Sequence, residues 1–150
     1  MAVKFTQQFT SADIRRFIEK KILIVEDIIK DQLIDIGEEF VRNARSVNTY
    51  TDRTRNLRGS IGYVVLKDKV AVFGNFDGVS TGQFRAKRLV VTIRSEHPRG
   101  FVLIVVAGMN YAVYVEAKGY DVLTGSSQIA DRETKQQFDR LAEQLKKVKS

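Results

Sequence analysis

The chain has no cysteine and no tryptophan, one histidine and one proline. The missing cysteines exclude disulfides and thiolate metal sites, and they leave the compartment open, because reducing and oxidising locations both accept a cysteine-free chain. The one histidine, His97, stands beside Pro98 in the turn-like stretch 95–100. Without a second imidazole or a thiol it is a poor start for a zinc site or a histidine-dependent active site, and it reads as an exposed turn residue. Long hydrophobic runs are also missing. None reaches the ~18–20 residues a bilayer span requires, and Met1–Gln8 has no apolar signal core. A soluble, unprocessed chain with no membrane partner is expected.

Catalytic patterns are absent as well. Gly74, Gly78 and Gly82 recur at fixed spacing, but no Gly-Lys-Ser/Thr ending follows, so a phosphate-binding loop is discarded. Ser60 lies in no nucleophile elbow and has no nearby base. The doublets Glu26-Asp27 and Glu38-Glu39 fall on a helix, where such pairs form the wet side of an amphipathic surface. No catalytic, cofactor-binding or metal-binding residue is expected, and the chain is not expected to be an enzyme.

What remains is an ordinary globular composition: 150 residues, 43% hydrophobic and 29% charged, with a formal net charge of +7. One domain covering 1–150 is the natural reading, and at this size about 70% of the unfolded surface can be buried. The positive balance admits nucleic acid or an acidic protein surface as a partner.

Along the chain, Thr10 or Ser11 can cap a helix whose positive end Asp13 favours. Apolar residues follow at Ile14, Ile18, Ile22, Val25, Ile29, Leu33, Ile36, Phe40 and Ala44, spaced by three or four. Phe17, Leu23, Ile28, Ile34 and Val41 widen this stripe. The spacing predicts a helix over 11–45, about 45 Å from Ile14 to Ala44 if unbroken. That is long for a small domain, so either Gly37 marks a bend or part of the helix packs on a neighbouring subunit. Residues 45–59 read as a polar loop containing Arg45, Arg53, Arg55 and Arg58, either a solvated connector or an arginine-lined contact for phosphate or carboxylate. Arg85, Lys87, Arg88 and Arg94 could form a second basic patch.

The period then changes to two. Ser60–Leu66 and Val70–Phe73 flank Lys67-Asp68-Lys69 and predict a β-hairpin. Residues 74–88 read as a loop, Leu89–Arg94 as a strand, and Phe101–Val106 as another strand, apolar on both faces and so central in the sheet. Residues 111–116 fit a strand or a helical turn. A second loop, 119–128, precedes a helix over 129–148 with a sparse stripe at Ile129, Phe138, Leu141, Leu145 and Val148. The fold class is thus α+β: a curved, mainly antiparallel sheet of four to five strands within 60–116, packed by the N-terminal and C-terminal helices.

Two stretches carry a family resemblance. Thr54-Arg55-Asn56-Leu57-Arg58-Gly59-Ser60-Ile61 opens a strand, and about fifty residues later comes Tyr111-Ala112-Val113-Tyr114-Val115-Glu116-Ala117-Lys118-Gly119. Together they resemble the tail-completion or neck proteins of long-tailed double-stranded DNA phages, the "gene-product-ten-like" family. That family's usual pattern is Thr-Gly-x-Leu-x-x-Ser-Ile and then Tyr-Ala-x-Tyr/Phe-Val-Glu-x-Gly-Thr, with a helix on either side. This chain departs in having Arg55 for the glycine and one extra residue before Gly119.

The resemblance implies a structural virion protein at the head–tail junction, assembled in the host cytoplasm. It implies a homo-oligomeric ring joining connector or portal-side proteins to tail-side proteins, with DNA able to pass through the lumen. Arg55, Leu57, Arg58, Tyr111, Tyr114 and Glu116 are then expected to shape an assembly interface, and the loops 74–88 and 119–128 to supply contacts. The reading from another class is a basic nucleic-acid-binding module.

Overall fold

The computed structural model of the chain describes residues 1, 9–46, 56–76, 80–109, 112, 117–118 and 122–147. Among them the order is α1 (Ser11–Ser46), α2 (Asn56–Gly59), β1 (Ile61–Lys67), β2 (Val70–Asn75), α3 (Ser80–Ile93), β3 (Phe101–Ala107) and α4 (Thr124–Lys147). The fold is α+β: an open antiparallel sheet ordered β2-β1-β3, with a long N-terminal and a long C-terminal helix.

α1 starts where its cap chemistry says it should. Thr10 accepts the Asp13 amide on Oγ1 at 3.2 Å, and Asp13 Oδ2 accepts the Thr10 amide at 3.0 Å and the Thr10 hydroxyl at 2.6 Å. This is a reciprocal capping box with aspartate in the third position. The helix then runs 36 residues without interruption, about 54 Å at 1.5 Å per residue. Gly37 does not interrupt it. It makes room: a Cβ there would lie within 2.8 Å of Cγ, Cδ2 and Cε2 of the Tyr63 ring. The helix can lie against the sheet at this point only because the residue has no side chain.

The hairpin closes through Asp68 and Lys69, both at positive φ (50° and 69°), the left-handed pair that a two-residue type I′ turn needs. Asp68 also ties the turn to the start of β3. Its Oδ1 accepts the Gly100 amide at 2.8 Å, and its own amide donates to the Gly100 carbonyl at 3.0 Å. A register shift between Val65 and Leu66 puts a bulge into the β1–β2 ladder, a device that sharpens strand twist.

Both faces of β1 and β3 are covered. On one face Tyr63, Val65, Leu103 and Val105 pack beneath Leu33, Phe40, Val41 and Ala44 of α1 and Phe138 of α4. On the other, Val64, Leu66, Ile104 and Val106 meet Val90 and Ile93 of α3. Two helical layers thus sandwich β1 and β3.

This arrangement corrects three sequence expectations. The stretch 89–94 is not a strand: Leu89–Ile93 is the end of α3, which also replaces most of the loop expected at 74–88. Its β-branched run Val90-Val91-Thr92-Ile93 favours strands locally, but Val90 and Ile93, three apart, face the sheet as one helical side. Among the described residues the sheet has three strands. Among the described strands β3 is at the edge and β1 at the centre. Helices covering both faces account for β3 being apolar on both. At the C-terminus α4 begins at Thr124, inside the expected loop 119–128. Ile129 of the expected stripe is exposed, while Phe138 is half-buried and Leu141 buried.

Candidate assembly surface

Only part of the expected interface falls within the described residues; Arg55, Tyr111, Tyr114 and Glu116 lie outside them. Leu57 is 1% exposed and belongs to the core on the α1 side, along with Ile61 and Ala112. Arg58 is half-buried at the end of α2. The two motifs therefore meet through Leu57, Ile61 and Ala112. Ser60 adds a second link: its hydroxyl donates to the Leu57 carbonyl at 2.7 Å, and its carbonyl accepts the Gly108 amide at 3.1 Å, where the chain leaves β3. In the described residues these motif positions hold the fold together from inside. Leu57 is not a surface contact.

The arginine loop expected at 45–59 is shortened at both ends. Arg45 lies in the last turn of α1, and its Nη2 donates to the Ile61 carbonyl at 2.7 Å, while residues 56–59 are helical. Residues 47–55 lie outside the described set.

Glu38, expected on a wet helix face, is instead a junction of three elements. Its Oε1 accepts the Tyr63 hydroxyl at 2.9 Å and the Asn75 amide at 2.8 Å, joining α1 to β1 and β2. The Asn75 hydrogen bond holds its carboxyl below the ordinary 4.5, with help from the Tyr63 hydroxyl and the charges of Arg42 and Arg45; desolvation opposes them. Burial pushes the Tyr63 hydroxyl well above its ordinary 10.0, and the Glu38 carboxylate adds to the shift. Nothing local in the sequence marks this junction, because Tyr63 and Asn75 are 25 and 37 residues away.

The surface feature of consequence is the first half of α1. Ser11 to Ile24 is exposed throughout, and the helix joins the body near Glu26, which pairs with Lys67. Yet this stretch carries Ile14, Phe17, Ile18, Ile22, Leu23 and Ile24, all large and exposed. Further along, the same stripe (Ile29, Leu33, Ile36, Phe40) forms one wall of an open groove of about 780 Å³. β3 (Phe101, Leu103, Val105) forms its floor and α4 (Ala130, Thr134, Phe138) its other wall. The sequence showed the widened stripe but not which half of it the body would cover.

Other surface chemistry is sparse. Among the described residues no group of histidine, aspartate or glutamate side chains is placed to hold a metal ion, and no helix is long and apolar enough to cross a membrane. Lys87, Arg88 and Arg94 are exposed on or just after α3. A scan against protein-family models, a search of curated proteins and a search of solved structures return no match to this chain.

Proposed function

We propose that this chain is a non-enzymatic structural subunit of a phage virion, placed at the head–tail junction, where copies form a ring linking the connector to the tail. The observation that carries the reading is the exposed apolar half of α1. A helix that extends about 20 Å beyond its own body with isoleucine and phenylalanine exposed to water is unfinished as a monomer surface, since contiguous apolar area of this kind marks an interaction site. The paired motifs at 54–61 and 111–119 supply the resemblance that names the setting. Their described members support it by bracing one core behind the sheet. The reading includes a curved sheet of four to five strands. The bulge at Val65/Leu66 is a source of curvature.

The test is direct. Particles purified from a producing culture are analysed by mass spectrometry, and the protein is located by gold-labelled antibody in electron micrographs. Label at the neck, and unjoined heads and tails from a null mutant, are the expected results. Normal particles from the null mutant would sink the proposal.

A second reading, a nucleic-acid-binding module, is favoured by the net charge of +7 and by the exposure of Lys87, Arg88 and Arg94. It predicts DNA binding that weakens steeply with salt, the slope reporting several phosphate contacts. Binding that is absent at low salt disposes of it.

A further inference from the structure

We infer that two copies of this chain pair through antiparallel packing of α1, the exposed half of one copy lying along residues 23–36 of the other, in a two-fold contact centred between Leu23 and Ile24. The apolar stripe reads the same in both directions about that point. Ile14, Ile18 and Ile22 precede it, and Val25, Ile29 and Leu33 follow, with steps of four, four, three, four and four. Reversed on itself, the stripe sets Ile22 against the partner's Val25 and Ile18 against the partner's Ile29. Heptad-like spacing of this sort is the pattern of a helix–helix seam.

Charge selects the direction. The stretch 13–21 carries Arg15, Arg16, Lys20 and Lys21 against Asp13 and Glu19, whereas 26–35 carries Glu26, Asp27, Asp31 and Asp35 against Lys30. Antiparallel pairing lays the basic stretch of one copy along the acidic stretch of the other. Parallel pairing would lay like on like, which opposes association.

Before the centre the stripe is open: Ile14, Ile18 and Ile22 are each 51% exposed. Beyond the centre it runs into the apolar groove. Ile29 and Leu33 line it on the same face of α1, so the partner's Ile14 and Ile18 arrive at its mouth and close it to water. A two-fold contact is self-complementary and closes on two copies, so a ring would be built from such pairs through other surfaces. It does not rest on the virion reading: absence of the protein from particles would leave it standing, and a monomeric chain would leave the particle test untouched.

The test uses the full chain, whose lack of cysteine makes single introduced thiols unambiguous. Light scattering after size exclusion is expected to give twice the chain mass, and Ile18→Glu the monomer, with dimer affinity falling at least about 100-fold. The Ile18→Glu thermal midpoint is expected to match that of the parent under conditions where both are monomeric, because Ile18 is exposed in the isolated chain. Under mild oxidation Ile22→Cys should cross-link to its own copy, since the two positions sit about 4.5 Å apart along the axis. Ile14→Cys should not, its copies being about 28 Å apart. The inference is overturned by a monomeric parent, by a dimer indifferent to Ile18→Glu, or by equal cross-linking at both positions, which means parallel helices. Oligomers without the Ile22→Cys cross-link overturn it in favour of a head-to-tail contact. A monomer that instead binds vesicles of anionic phospholipid overturns it in favour of a lipid surface.

Discussion

Replacing Gly37 by alanine separates two accounts of that residue. In a helix that is merely long, glycine is a weak point, and alanine should stabilise by about 1 kcal/mol through helix propensity and reduced unfolded-state entropy. The structure predicts the opposite sign. The new Cβ would lie within 2.8 Å of three carbons of the Tyr63 ring, while carbon pairs rest at ~3.5–4.0 Å. Helix and ring must therefore separate by roughly 1 Å. The ring has nowhere cheap to go. Tyr63 is fully buried, its hydroxyl donates to Glu38 one residue along the same helix, and its ring stacks on Phe73 at 6.1 Å between centroids.

Overpacking of this kind costs about 1–3 kcal/mol. Straining a hydrogen bond to a carboxylate adds part of the ~1.5–3 kcal/mol such a bond contributes. Set against the propensity gain of about 1 kcal/mol, the net is a destabilisation of about 1–3 kcal/mol. For a domain of this size that lowers the midpoint by ~2–4 °C per kcal/mol. Thermal unfolding followed by circular dichroism measures it. The double variant Gly37→Ala/Tyr63→Leu tests the mechanism, because removing the ring should make alanine at 37 nearly harmless and the two changes strongly non-additive. A Gly37→Ala protein as stable as the parent, or more so, would refute the close-approach account.

Four further outcomes are expected. Glu38 holds its proton less tightly folded than unfolded, so its contribution is present above pH 4.5 and lost as the pH falls through its lowered value; Glu38→Gln should flatten the acid limb of a stability–pH profile. Tyr63 holds its proton more tightly folded, so stability should fall as pH climbs past 10.0, and Tyr63→Phe should remove that alkaline loss while costing about 1.5–3 kcal/mol near neutrality. Lys69→Gly should stabilise by roughly 1 kcal/mol in urea titration, because lysine sits in a left-handed turn position that glycine occupies without strain. Thr10→Ala should cost about 1 kcal/mol by removing the α1 cap, although it touches no core residue.

The parts of the fold legible in the sequence were those written in local chemistry. α1 was visible because a cap at Thr10 and a stripe from Ile14 to Ala44 agree over many turns. The first hairpin was visible because the alternation in 60–73 breaks at a polar pair. Both signals survive folding, as propensity and tertiary need coincide there. α3 was misread because Val90-Val91-Thr92-Ile93 has strand chemistry, and the sheet overrides it by asking for one buried helical side. The apolarity of β3 on both faces cannot distinguish flanking strands from covering helices. Glu38 was assigned to water because its partners come from β1 and β2. Of the residues expected at an interface, Leu57 proved to be core, since a motif constrains residue type and spacing without saying which side of the protein a leucine faces.

α1 shows why a stripe alone cannot say where a protein ends. From Leu33 to Ala44 the buried positions serve the protein's own sheet, and Gly37 and Glu38 lock that half in place by a close approach and a shared hydrogen bond. From Ile14 to Ile24 the same periodicity continues with its side chains exposed among the described residues. Folding alone does not call for isoleucine at Ile14, Ile18 and Ile22; glutamate or lysine would keep the helix and improve its solubility. Ile18→Glu should therefore leave the folded monomer intact and abolish its association. Substitution in the buried half, at Ile36 for example, should destroy both together. On the proposed pairing, a single helix holds a folding half and an assembly half. The boundary between them falls near the Glu26–Lys67 pair, where the chain first meets its own sheet.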